Sequence, residues 1–443
     1  MDNVKKCSAH SFLCGYFGCD DLPALISSEK GAGAGWQRQI ITKEKYARHC
    51  DIYYESYVDS LLEKESRSEE RRNIYHGTSH YVLELNAKCV LKSEEIYKEF
   101  TACGKKTRNY PLTEDYRFTI NKIHLFGFPY GIVLFAVEID EADVSMEGLS
   151  SAHQELRSVS AYQRWAERKV AGDYLDAIEP LVRLCSTPGA PAPEYGRLVE
   201  TGGKLKIFQI IQTTSVEDDL LYELGCLFKP GIIKEGTSKA CPSESYYNGV
   251  MNSNTLQVFN NWKVLALFDT FTVMGDVNFF HWSSYFRMIY VHSLYQKRLL
   301  FDLNQRFRKP SQAKVMGRLV NEMMERERYY AFPTISYNFL PQMIYEKINY
   351  GLGVGNEREQ LHKYIEQEGQ RMETLVEKRT SRLLFALTFL AVASAIFDLT
   401  SLVTSILGYE PATCCYNLVS GIVVAVILVV MTSVLIYNKI RKV

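Results

Sequence analysis

Two long apolar runs near the C-terminus constrain this chain more than any other feature. The first, Leu383 to Leu407, reads LLFALTFLAVASAIFDLTSLVTSIL and is 25 residues long. As a helix it measures about 37 Å, more than the roughly 30 Å of a bilayer's hydrocarbon core. The second, Leu418 to Tyr437, is LVSGIVVAVILVVMTSVLIY. The link between them, GYEPATCCYN, holds no Lys or Arg. Lys378, Arg379 and Arg382 lie before the pair and Lys439, Arg441 and Lys442 after it. Basic flanks stay on the cytoplasmic side, so the pattern predicts a hairpin of two transmembrane helices in the inner (cytoplasmic) membrane, with both termini cytoplasmic.

An aspartate inside such a run needs a reason. Asp398 falls about 22 Å along the first run, where a charge costs about 3 kcal/mol on insertion scales. Thr388, Ala391, Ser394, Asp398, Ser401 and Ser405 recur every three or four residues, which is one small, polar face of a helix. These residues are the predicted pore lining if several copies assemble, with Asp398 as a cation-attracting ring. A packed, hydrogen-bonded Asp398 is the plainer alternative. The second run has no such stripe.

Before the membrane run, Asn356 to Arg382 is charged except for a narrow seam of Leu361, Ile365, Met372 and Leu375. The spacing predicts a self-associating helix, continuous with the first run and about 75 Å long in all. Upstream, His281 to Phe307 and Ser311 to about Tyr329 read as two more helices, and Ile335 to Ile348 as a third segment.

This order of parts resembles the CorA family of cation channels over roughly the last 160 residues. The resemblance implies a pentamer, with the bilayer and copies of the chain as partners. The family's Gly-Met-Asn mouth aligns here with Gly408, Tyr409 and Glu410. The glycine is kept and the asparagine is not, so selection of hydrated Mg2+ is not implied. The length of the N-terminal part is similar to the divergent branch associated with type III CRISPR antiviral defence. That resemblance implies opening by a small nucleotide messenger, S-adenosylmethionine joined to AMP (SAM-AMP). Two alternatives stay open: a divalent cation transporter gated by Mg2+, and a membrane-anchored scaffold that conducts nothing.

The chain has 443 residues, with 51 Lys+Arg against 51 Asp+Glu, a balance that gives no case for nucleic acid as a partner. Residues 1–280 are expected to form an α+β (mixed α/β) cytoplasmic sensor domain, residues 281–382 paired helices and a helical stalk, and residues 383–443 the hairpin. Tyr81 to Leu85 reads as a strand. Phe118 to Phe126 and Ile132 to Asp140 read as a hairpin, and Lys204 to Gln212 as a strand. Ser150 to Cys185 is helical in pattern, and Leu256 to Met274 gives one or two further strands.

For a messenger, Thr213, Thr214 and Ser215 end a strand and open a helix, where free N–H groups can hold an anion. Asp218 and Asp219 follow, able to accept ribose hydroxyls. Ser215 with Asp218 reads more simply as a helix-capping pair, and the two aspartates would repel a phosphate. Arg157, with Arg164 and Arg168, offers charge to phosphates. Gly31 to Gly35 lacks the surroundings of a phosphate loop. Cys7, His10, Cys14 and Cys19 cluster without a known zinc spacing, so no metal is expected there. No catalytic motif occurs, His281 and His292 reading as packed helix residues. Cys414 and Cys415 in the link could form disulfides.

Overall fold

The computed structural model describes residues 6–39 and 79–406, apart from short breaks at 32, 103–104, 110–111, 188, 199–202, 237–240, 309–312 and 331. The described chain forms two units, Met1–Ile365 and Glu366–Val443.

The first unit is built on a nine-stranded sheet in the order β2-β3-β6-β7-β1-β8-β11-β10-β9. The strands are β1 (Lys6–Gly18), β2 (Gln37–Arg38), β3 (Ser79–Leu91), β6 (Tyr116–Phe128), β7 (Ile132–Ser145), β8 (Lys206–Gln212), β9 (Thr255–Leu256), β10 (Trp262–Ala266) and β11 (Thr270–Gly275). A separate ribbon pairs β4 (Lys98–Ala102) with β5 (Lys105–Asn109). All pairings in the sheet are antiparallel except β8 with β11.

Both faces of the sheet are covered, because alternate residues of the central strands are apolar on both sides. From β1, Ala9, Leu13 and Phe17 enter one core, while Phe12 and Cys14 enter the other. The first core is closed by α2 (Met146–Leu156), α3 (Val159–Arg168), α4 (Gly172–Cys185) and α5 (Asp218–Gly225), which follow the short α1 (Leu22–Ser27). α6 (Glu244–Asn254) adds Met251. The second core is closed by α7 (Arg287–Phe307), α8 (Ala313–Tyr330), α9 (Phe339–Leu352) and the first turns of α10 (Val354–Ile406). The third segment, Ile335 to Ile348, is helical only from Phe339, where it belongs to α9. A new helix starts at Phe339, with Pro341 tolerated in its first turn, where a missing N–H costs nothing.

The mixed α/β expectation matches this unit, but the C-terminal expectation needs correction. Among the described residues no helix is long and apolar enough to cross a membrane, so two C-terminal transmembrane helices are not supported. The run Leu383 to Ile406 is instead the end of the 53-residue α10. Leu418 to Tyr437 lies outside the described residues.

Candidate functional site

β8 and β11 run in the same direction, so their carboxyl ends meet at one edge of the sheet. Crevices at such strand ends are the usual place for ligands in α/β sheets. Here the edge opens into a pocket of about 530 Å³. Gln212 lines it from the end of β8, Thr213, Thr214 and Ser215 from the turn that follows, and Asp276 from just past the end of β11. Lys6 at the start of the antiparallel β1 and Met146 at the start of α2 close one side, and Glu217 and Leu220 another.

The strand ends are tied together. The Thr213 N–H donates to the Gly275 carbonyl at 3.0 Å. Gln212 Nε2 donates to Asp276 Oδ1 at 2.9 Å, and its Oε1 accepts from the Val277 N–H at 3.2 Å. Thr213 Oγ1 donates to the Ser215 carbonyl at 2.9 Å. Lys6 Nζ donates to Asp143 at 2.8 Å, and this hydrogen bond holds its pKa above the ordinary lysine range. The pocket therefore offers hydroxyls, an amide, one lysine and two carboxylates over an apolar floor of Met146 and Leu220. Its volume lies within the range of small-molecule sites.

The other sequence-predicted ligand residues are placed elsewhere or are already engaged. Ser215 does not cap α5: the cap position is Glu217, and its side chain makes no capping bond. Asp218 accepts from Lys263 Nζ at 2.7 Å, and Asp219 from the Tyr247 hydroxyl at 2.8 Å. Arg157 caps the C-terminus of α2 and points its Nη1 to Asp269 at 3.3 Å. Asp269 also takes Lys206 Nζ at the start of β8. Thr213 is seven residues further on, about 23 Å along an extended strand. The fold thus brings Thr213, Thr214 and Ser215 to one pocket and leaves Arg157 at the opposite end of the strand.

β1 also separates the N-terminal cysteines. Cys7 packs in the first core and Cys14 in the second, so the strand's two-residue period puts them on opposite faces. Burial pushes both thiols up to about 12, away from the thiolate that a metal needs. His292 is buried in the second core, where burial first and Arg358 second lower its pKa to about 3.

On α10, Leu383, Phe385, Leu387, Leu390, Leu402 and Ile406 are each more than half exposed. The Thr388 hydroxyl donates to the Leu384 carbonyl at 2.8 Å, so its polarity is spent within the helix. Ala391, Ser394 and Asp398 are exposed. Ser401 and Ser405 belong to the same helix, but their side chains lie outside what is described. Gly408, Tyr409 and Glu410, with Cys414 and Cys415, lie outside the described residues.

Sequence reasoning missed the buried polar network beneath the first face of the sheet. Glu141 accepts from Ser11 Oγ at 2.9 Å and from the Tyr116 hydroxyl at 2.9 Å, and lies 2.6 Å from His153 Nε2. His153 Nδ1 meets Gln209 Oε1 at 2.9 Å, and Gln209 Nε2 donates to the Leu224 carbonyl and to Thr272. No solvent reaches the His153 or Glu141 side chains, so this network fixes the core and performs no chemistry on a ligand. Comparison with family models, with curated proteins and with solved structures finds no match.

Proposed function

We propose that the chain is a nucleotide-responsive cation channel of the CorA type, assembled from several copies and associated with a membrane. The pocket at the carboxyl ends of β8 and β11 is the receiving site, and the single observation that carries the reading is its position and size. Thr213, Thr214 and Ser215 meet the ligand's hydroxyls, and Met146 and Leu220 meet its base. The messenger is SAM-AMP. Its sulfonium and amino groups suit Glu217 and Asp276 better than a phosphate does, because like charges repel. The exposed apolar side chains of α10 support the membrane half of the reading, since a surface of this kind calls for a cover of lipid or of further copies.

The test is binding of SAM-AMP to the purified full chain by equilibrium dialysis, beside the variant Thr214→Trp, which fills the pocket. Saturable binding that Thr214→Trp weakens at least tenfold supports the reading. Absence of binding, or binding that Thr214→Trp leaves unchanged, removes the pocket from it.

A further inference from the structure

Four neighbouring strands, β3, β6, β7 and β1, carry a row of titratable side chains across the second face of the sheet. His10 Nδ1 bonds Asp140, and its Nε2 lies 3.2 Å from Glu138 Oε1. His124 Nε2 lies 2.7 Å from Glu138 Oε2, and His124 Nδ1 lies 3.2 Å from His80 Nε2. Asn121 bonds the other oxygen of Asp140. From the helix layer, Arg287 comes down on this row. Its Nη1 is 2.9 Å from His124 Nε2, and its guanidinium lies over the Phe12 ring at 4.9 Å and the Phe126 ring at 5.9 Å. Phe279 covers His10, with 6.1 Å between ring centres.

Arg287 is the first residue of α7, directly after one turn of π-helix, Trp282–Phe286. A π turn inside a helix holds an extra residue and is a place where it can yield. α7 in turn grips the first turns of α10: Lys297 Nζ lies 3.0 Å from Glu357 Oε1, and Asn304 Nδ2 donates to the Glu357 carbonyl at 3.0 Å.

We propose that the row His10–Glu138–His124–His80 with Arg287 is an acid-sensitive latch, holding the start of α7 on the sheet and releasing it when His124 and His80 take up protons. His10 is not the trigger, because both its ring nitrogens already face carboxylates. Burial opposes its charge, but the bonds to Asp140 and Glu138 outweigh this and hold it up at about 9. His124 is the opposite case: burial first, and Arg287 next, lower it to about 4, with Lys122 adding to the repulsion and Glu138 opposing it. Burial, His124 and Arg287 likewise lower His80. Once His124 and His80 are charged, they and Arg287 are three cations in one row, and the carboxylate nearest His124, Glu138, is already shared with His10. Of the three, Arg287 alone is carried by the helix layer rather than the sheet and sits beside the π turn, so it is the one that moves, and its departure loosens the helix that holds α10.

Hydrogen exchange of the full chain tests this, read on peptides covering residues 279–290 at pH 7.5 and 5.0 and corrected for the intrinsic pH dependence of exchange. Local opening is expected to rise on the order of tenfold at pH 5.0, from a histidine released from a lowered to an ordinary pKa. His124→Gln keeps the hydrogen-bonding shape without the charge and is expected to cut the rise to what His80 alone supplies; Arg287→Met removes the opposing cation and is expected to abolish it. Either variant that holds its fold at pH 7.5 is sufficient. No rise in the wild type, a rise spread equally over α2, or the same rise in a folded variant overturns the latch.

Discussion

Replacing Glu141 by Ala tests whether the buried polar network holds the sheet and its first helix layer together. Three groups face this carboxylate: the Ser11 hydroxyl, the Tyr116 hydroxyl and His153 Nε2. Glu141 and Ser11 are almost fully buried, so water does not replace a lost partner cheaply. Leaving a buried polar group unsatisfied costs about 1–3 kcal/mol. His153 keeps Gln209 and loses only one of two partners. Counting two full losses and one partial loss gives about 3–6 kcal/mol for Glu141→Ala, with part recovered if water enters the space. Glu141→Gln keeps the shape and one acceptor oxygen, and its amide can donate to one of the hydroxyls, so about 1–2 kcal/mol is expected. Urea titration of the full chain in mild detergent, followed by far-UV circular dichroism, gives both values from the shift in midpoint. A cost below about 1 kcal/mol for Ala, or a Gln variant less stable than the Ala variant, would refute the reasoning.

Three further outcomes follow from other parts of the fold. His10 is held up at about 9 when folded and lies near 6.5 when unfolded, so its stabilisation is complete below about pH 6.5 and is lost as pH rises through 9. The urea midpoint of the wild type should fall between pH 7 and 9.5 by at most about 3 kcal/mol, and that of His10→Asn should stay flat over the same range. Gly275 has φ +138, and a Cβ there would meet the Asn261 carbonyl oxygen at 2.1 Å, so Gly275→Ala should destabilise by about 2–4 kcal/mol, read as a lower melting temperature. On the proposed channel reading, Asp398→Asn should lower the preference for cations over anions in vesicle flux while leaving melting unchanged; unchanged selectivity would remove Asp398 from the ion path.

The parts of the fold legible in the sequence are those with local signals. The hairpin of β6 and β7 was readable because two β-branched runs flank Gly127-Phe-Pro-Tyr-Gly131, and both Tyr130 and Gly131 adopt the positive φ that such a turn requires. The strand read at Lys204–Gln212 and the helical stretch read at Ser150–Cys185 were legible from their periods, and the structure places β8 and the helices α2 to α4 there. β1 was not. It lies in the middle of the sheet and buries both faces, so CSAHSFLCGYFG shows no polar alternation, and it stood out only as a Cys/His cluster without a known zinc spacing. Thr213 to Ser215 stood out because a strand end followed by a helix start is a local pattern. Lys6, Met146 and Asp276, which join them at the pocket, come from three distant segments that only the sheet order brings together. The His10–Arg287 row is invisible for the same reason: its members are spread over nearly 280 residues of sequence.

The most direct measurement is cation flux through bilayers containing the purified full chain, with Mg2+ on one side, before and after SAM-AMP is added. Current that appears only with the messenger, and that Thr214→Trp abolishes, is the predicted result. Current that flows without the messenger and stops with Mg2+, or no current under either condition, contradicts a nucleotide-opened channel.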